Sequence, residues 1–292
     1  MRIHIRLTIA LLAALALAGC GSPTPQAAND ADPALWVVKD ADTTIYLFGT
    51  VHMLKPGLSW FDDGVKTAFD KSDSLMLEVV LPDDAEMAAL VAELGTSREP
   101  PLQGPQAEKL RAALTGLGMA PDALDHSEPW LAATMLASLP LQKLGYDPKD
   151  GAEAVLTAAA RKAGKPVAGL ESAREQLGYF DALSLPAQRA LLEETIRTLP
   201  DAGKTLDQAV TAWGAGNAAK LAALVNDDVA SSPEVADALL FRRNQRWADW
   251  IVRRMAQPGT VFVAVGAGHL AGAGDVQAEL EKRGLKVERV RY

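Results

Sequence analysis

Two apolar runs, near opposite ends of the chain, finish in the same Gly-x-x-His pattern. Ile45-Tyr46-Leu47-Phe48 leads into Gly49-Thr50-Val51-His52, and Val261-Phe262-Val263-Ala264-Val265 leads into Gly266-Ala267-Gly268-His269. The sequence holds four histidines, and His4 lies in an apolar N-terminal leader. Two of the remaining three therefore stand at equivalent positions. Neutral imidazole is a frequent metal ligand and a frequent general base. Each histidine follows a predicted strand, and the carboxyl ends of strands are where α/β folds place ligands. Gly49, Gly266 and Gly268 are expected to let the backbone turn sharply as it leaves the sheet.

Charged residues in apolar surroundings complete the candidate set. Glu78 stands inside Leu75-Met76-Leu77-Glu78-Val79-Val80-Leu81, where burial is costly without a partner. It is a ligand or base beside His52, or else a strand-end acid facing solvent. Glu171 closes the run Pro166-Val167-Ala168-Gly169-Leu170; the alternative is an acid at a helix N-terminus, which the helix dipole favours. Glu153, in Gly151-Ala152-Glu153-Ala154-Val155, has the same first-turn alternative. On a helix from about 233 to 255, Arg243 and Asn244 share the apolar stripe of Leu240, Trp247 and Ile251, while Arg242, Gln245, Arg246 and Asp249 point elsewhere. A guanidinium on that face needs a substrate anion or a carboxylate, and a structural salt bridge to a buried Glu would also serve. His126 sits in a polar turn and is expected at the surface. H-E-x-x-H, G-x-S-x-G, Walker and Rossmann patterns are absent from the sequence.

These residues need a sheet to hold them. Leu35–Lys39 and Thr44–Phe48 flank Asp40-Ala41-Asp42 as a hairpin. A helix is predicted over Trp60–Lys71 and a buried strand over Ser74–Val80. Ala- and Leu-rich amphipathic helices punctuated by proline follow to about 160. A short strand over Lys165–Leu170, helices to about 256, then strand Thr260–Val265, helix Asp275–Arg283 and strand Lys286–Val290 complete the chain. Both ends thus read strand, G-x-x-H, loop, helix, strand. The expected fold class is α/β (α+β being the variant): one central mixed sheet built from two β-α-β-like halves, with a large helical insertion over about 83–256. This pseudo-repeat requires both His-bearing strands in one sheet with their His ends on the same side.

The leader has Arg2 and Arg6 before the apolar run Leu7–Leu17, too short to span a bilayer as a helix. It ends in Leu17-Ala18-Gly19-Cys20, which resembles the lipobox of bacterial lipoproteins. That resemblance implies a signal peptide over 1–19, cleavage, and acylation of Cys20, the sole cysteine; an ordinary cleaved signal is the alternative. Residues 20–33, rich in Pro, Ser, Ala and Asn, read as a tether, leaving 34–292 as a single domain. The lipoprotein reading implies export, with the domain facing the periplasm. Gly21 and Ser22 in place of Asp favour the outer membrane. With Cys20 consumed, no intrachain disulfide or cysteine nucleophile remains. The formal charge is −8, which disfavours nucleic-acid binding. Hydrophobic residues make up 49% of the chain, ordinary for a globular protein. Oligomeric state is not legible.

The full set of residues resembles the TraB/GumN family, which includes the Tiki proteases and the pheromone-shutdown protein PrgY. The resemblance runs over about 34–291 and rests on Tyr46–His52, Glu78, Gly151-Ala152-Glu153, Gly169-Leu170-Glu171 with Gln176, Arg243-Asn244 and Val265–Leu270. Tiki proteins are metal-dependent proteases that use both G-x-x-H histidines and a glutamate; the wider clan resembles erythromycin esterases and includes a haem-binding lipoprotein. The resemblance therefore implies a membrane-anchored metallohydrolase acting on a peptide or small ester. His52, His269 and Glu78 would hold one divalent ion (Mn, Co or Zn), two His and a carboxylate being a known catalytic set. Glu171 or Glu153 would take a proton from water, and Arg243, beside Asn244, would orient a carboxylate or steady an oxyanion. Two alternatives are a metal-free esterase, with a histidine base oriented by Glu78, and a protein that binds haem, a metal or a peptide without turnover.

Overall fold

The computed structural model describes residues 29–97, 102–226 and 232–292; the signal segment, Cys20 and most of the tether lie outside them. Eight strands are present among these residues: β1 (Asn29–Asp30), β2 (Leu35–Lys39), β3 (Thr43–Thr50), β4 (Leu58–Ser59), β5 (Ser74–Val79), β6 (Val167–Glu171), β7 (Gly259–Gly266) and β8 (Glu288–Arg289). Six form one sheet in the order β6-β5-β7-β3-β2-β8, and β1 pairs with β4 in a short separate ribbon. The sheet is mixed, as expected: β3, β5, β6 and β7 run parallel, and β2 is antiparallel to both β3 and β8.

The parallel β3–β7 pair pins the two motifs together. Its register sets Gly49 opposite Val265 and Thr50 opposite Gly266. Both His-bearing strands are thus adjacent, with their carboxyl ends on the same edge, which meets the condition for the pseudo-repeat. Each then crosses over. The chain passes from β3 through the helix Asp63–Lys71 to β5, and from β7 through the helix Val276–Lys282 to β8. The two helices pack on opposite faces of the sheet.

Strand alternation divides the core. Phe262, Ala264, Phe48, Leu75 and Leu77 face one layer, with Val65 and Phe69 of the first crossover, Leu156 of the helix Ala152–Lys162 and Trp213 of the helix Ala202–Gly214. Val261, Val263, Val265, Ile45 and Leu47 face the other, against Trp247, Ile251 and Met255 of the helix Arg242–Met255. The insertion adds a smaller core of its own, with Leu110, Leu114, Leu136 and Leu192.

Two boundaries differ from the sequence reading. The first crossover helix begins at Asp63, not Trp60. Trp60 is drawn into the core, stacked on Phe48 with ring centroids 5.5 Å apart. The last residues assigned to the tether already belong to the fold: Ala31 is buried, its N–H donates to the Ser59 carbonyl at 2.8 Å, and the Asp32 N–H donates to Gly214.

Candidate functional site

The site is built on the carboxyl edge of β3, β7, β5 and β6. His52 lies two residues beyond β3, His269 lies in a 3₁₀ turn (Ala267–Leu270) after β7, Glu78 is near the end of β5 and Glu171 ends β6. The motif glycines work through space rather than through positive φ, contrary to the expected sharp turn. None of Gly49, Gly266 and Gly268 is in the left-handed region. A Cβ on Gly266 would stand 3.3 Å from Glu78 Oε2, 3.6 Å from the His269 ring and 3.8 Å from the His52 ring. One on Gly49 would press Ala267, and one on Gly268 would meet Asn226 Oδ1 at 2.8 Å. The turn that carries His269 is clamped by Asn226 Nδ2, which donates to the carbonyls of Gly268 and Ala271. The strand that carries His52 is clamped by Trp213 Nε1, which donates to the Gly49 carbonyl at 2.7 Å.

Gly151-Ala152-Glu153 explains itself by the same geometry. A Cβ at Gly151 would fall 2.1 Å from the His52 carbonyl oxygen, so only glycine lets this helix start against the strand end. The Ala152 N–H then donates to the Val51 carbonyl at 3.0 Å, and Glu153 reaches His52, with Nδ1 and Oε1 2.5 Å apart. Water reaches the His52 side chain, which is 70% exposed. The Glu153 carboxylate beside it raises its pKa to about 9, although the protein atoms beneath the ring oppose this.

The second histidine lives in the opposite environment. His269 is buried, lies 4.4 Å from the Trp247 ring, and is held by burial at a pKa of about 3. Asn244 Nδ2 donates to the Gly274 carbonyl at 2.8 Å, which turns Asn244 Oδ1 toward His269 Nδ1, 2.6 Å away. That makes Nδ1 the donor and leaves the Nε2 lone pair facing Arg243 Nη1 at 3.2 Å. Asn244 therefore selects the tautomer.

Arg243 joins everything else. Its Nε donates to both oxygens of Glu171 (3.1 and 3.0 Å), and Nη2 donates to Glu171 Oε2 (2.9 Å) and to Glu78 Oε1. Nη1 donates to the Leu239 carbonyl (3.0 Å) and meets His269. Leu239 lies in a π-helical turn, Asp237–Phe241, directly before the Arg243 helix; such turns free carbonyls from the regular ladder. Glu78 also accepts from Gln176 Nε2 at 2.6 Å and from the Gly266 N–H at 3.0 Å. Burial pushes the Glu78 carboxyl up, but Arg243 and the two histidines override it and hold it at about 2. Gln176 is delivered by the helix Ala173–Asp181, which a Ser172–Glu175 capping box starts directly after β6.

The structure brings Glu78, Glu171, Arg243, Asn244 and His269 into one buried cluster, with His52 and Glu153 as an open pair beside it. His126 is exposed, as expected. Three assigned roles change. Glu153, not Glu78, orients His52. All five Arg243 N–H groups have protein partners, so none is left for a substrate carboxylate or an oxyanion. Arg246, expected to point away, lies 3.6 Å from Glu171 and over the Tyr179 ring. Trp247 was legible only as an apolar stripe residue, yet its indole N–H donates to Glu171 at 3.1 Å. A tryptophan one turn from a stripe arginine was the available signal.

The same contacts bear on the metal that the resemblance implies. His269 Nε2 and Glu78 Oε1 already face Arg243, Glu78 Oε2 accepts from the Gly266 N–H, and no cluster of three His, Cys, Asp or Glu among the described residues is disposed to hold a metal ion. In this arrangement the donor set does not fit a divalent cation.

Fold and site together define an α/β protein with paired strand-end histidines over a buried arginine–carboxylate cluster. A family model, TraB/PrgY/gumN, matches residues 34–289, and the chain belongs to that family. It is 28% identical over 250 residues to YbaP, an uncharacterised protein of Escherichia coli (strain K12), covering 84% of this chain and 90% of that one. YbaP of Shigella flexneri matches to the same extent. An uncharacterised protein of Treponema pallidum (strain Nichols) is 24% identical over 281 residues, covering 89% of this chain and 84% of its own. No solved structure matches.

Proposed function

We propose that the chain is a hydrolase of an ester or amide carbonyl, with His52 and Glu153 as its proton-transfer pair. The observation that carries this reading is the His52–Glu153 contact itself. One ring nitrogen is bound to a carboxylate 2.5 Å away and the imidazole is open to water at the carboxyl edge of the sheet. Glu153 holds Nδ1–H, so Nε2 is the atom that meets substrate or water. As free base, His52 Nε2 takes a proton from water as the water oxygen bonds to the carbonyl carbon. The imidazolium so formed is stabilised by Glu153 and returns the proton to the departing oxygen or nitrogen as the acyl bond breaks. His269, neutral and walled in by Asn244, Trp247 and Arg243, supports the site without exchanging protons. The metal-dependent form implied by the resemblance would require Arg243 to leave the His269 Nε2 lone pair, so the geometry favours the metal-free form.

The lipobox-like Leu17–Cys20 supports a lipid-anchored, exported protein with this domain in the periplasm. Among the described residues no helix is long and apolar enough to cross a membrane.

The test is turnover of a panel of aryl esters and short peptides by the native chain and by His52→Ala. The variant should lose at least about 100-fold in kcat/KM, the scale of general acid–base catalysis, with its fold intact because the side chain is exposed. Full activity in the variant would sink the mechanism. Binding of panel members without turnover by the native chain would instead assign a binding role.

A further inference from the structure

We infer that Arg243 is a built-in replacement for a metal cation: its guanidinium fills the place where Glu78, Glu171 and His269 converge, and those three donors become a divalent-cation site only when it is removed. Two buried carboxylates need positive charge close by. A metal centre would draw it from an ion; here one side chain supplies it. Glu78, Glu171 and Arg243 are each no more than 7% exposed. The guanidinium is enclosed on its faces as well, 4.8 Å from the Trp247 ring centroid and 5.7 Å from that of Tyr179. A planar fork with five fixed donors suits this role better than a point charge. It bonds both carboxylates and the one imidazole lone pair that Asn244 leaves available.

Truncating Arg243 would leave two carboxylates and one imidazole nitrogen around the vacated space. This oxygen-and-nitrogen set is of the kind that Zn²⁺, Co²⁺ or Mn²⁺ accepts. The inference does not rest on hydrolysis. Its readout is metal content, so it and the hydrolase reading can fail separately.

The experiment is to titrate the full chain with MnCl₂, CoCl₂ and ZnCl₂, follow heat and Tm, and measure bound metal after dialysis. The native chain should take up no stoichiometric ion and show no shift in Tm. Arg243→Ala should gain one equivalent and a metal-dependent rise in Tm, since a ligand that binds only the folded state stabilises it. Adding Glu78→Gln to that variant should weaken the new site at least tenfold. Arg243→Lys, which keeps a cation in place, should gain none. One equivalent bound by the native chain and lost in Glu78→Gln would overturn the inference, as would a folded Arg243→Ala that takes up no metal. If Arg243→Ala does not fold, Arg243→Met, which keeps most of the side-chain volume, takes its place: one equivalent bound upholds the inference, and a folded Arg243→Met that takes up none overturns it.

Discussion

His52 and His269 are the same residue at equivalent ends of neighbouring parallel strands, yet they are driven in opposite directions. A carboxylate beside an open ring raises one pKa to about 9, and burial lowers the other to about 3. The sign at His52 follows from Glu153: an anion favours the imidazolium, so removing the charge must lower the pKa. Glu153→Gln should therefore move the His52 midpoint, read by NMR titration of its ring protons, from about 9 down toward the ordinary 6.5. The acid-side limb of kcat/KM, along which activity falls as the imidazole is protonated, should move down with it, because the mechanism needs the free imidazole. A midpoint that stays near 9 would show that Glu153 does not set this charge. That His52 and His269 deserved attention was legible from the sequence, since the paired G-x-x-H motifs mark them. Which one titrates was not, because that depends on Glu153, 101 residues away, and on Trp247.

At the scale of elements, the short motifs are close approaches between elements. Gly151 lets a helix start against the His52 carbonyl, and Gly266 leaves room for the Glu78 carboxylate to come up against its backbone. Gly151→Ala keeps an allowed backbone conformation (φ −61°) but drives a methyl into backbone 2.1 Å away. It should cost about 1–3 kcal/mol, the range for overpacking a tight site, and should separate Glu153 from His52. Chemical denaturation measures the first effect, and the fall of the His52 midpoint measures the second. Unchanged stability with an unchanged midpoint would contradict the proposed docking of this helix. The six strands of the main sheet and their order along the chain were legible, because β-rich runs punctuated by glycine and turns are local signals; the two-residue β1 and β4 were not. The π-helical turn that frees the Leu239 carbonyl for Arg243 was not legible, since nothing in Asp237–Phe241 departs from an ordinary helical pattern.

For the whole molecule, the proposed anchor would set where the proposed chemistry takes place. The domain would work beside a membrane surface on substrates that reach the periplasm. Cys20→Ala in the expressed precursor should move the protein from the membrane fraction to the soluble one and abolish labelling by radioactive fatty acid. Continued labelling would reject Cys20 as the acceptor. Within the domain, the sequence determined the strand-end motifs and the residues that must be buried with charge, which are written in composition and local period. Only the tertiary structure decided the partners: Arg243 with Glu78 and Glu171, Asn244 with His269, Glu153 with His52. The reason is physical. A charged residue on an apolar face announces that a counter-charge exists, but the sheet order β6-β5-β7-β3 and the register between β3 and β7 choose which of the available carboxylates arrives within hydrogen-bond reach.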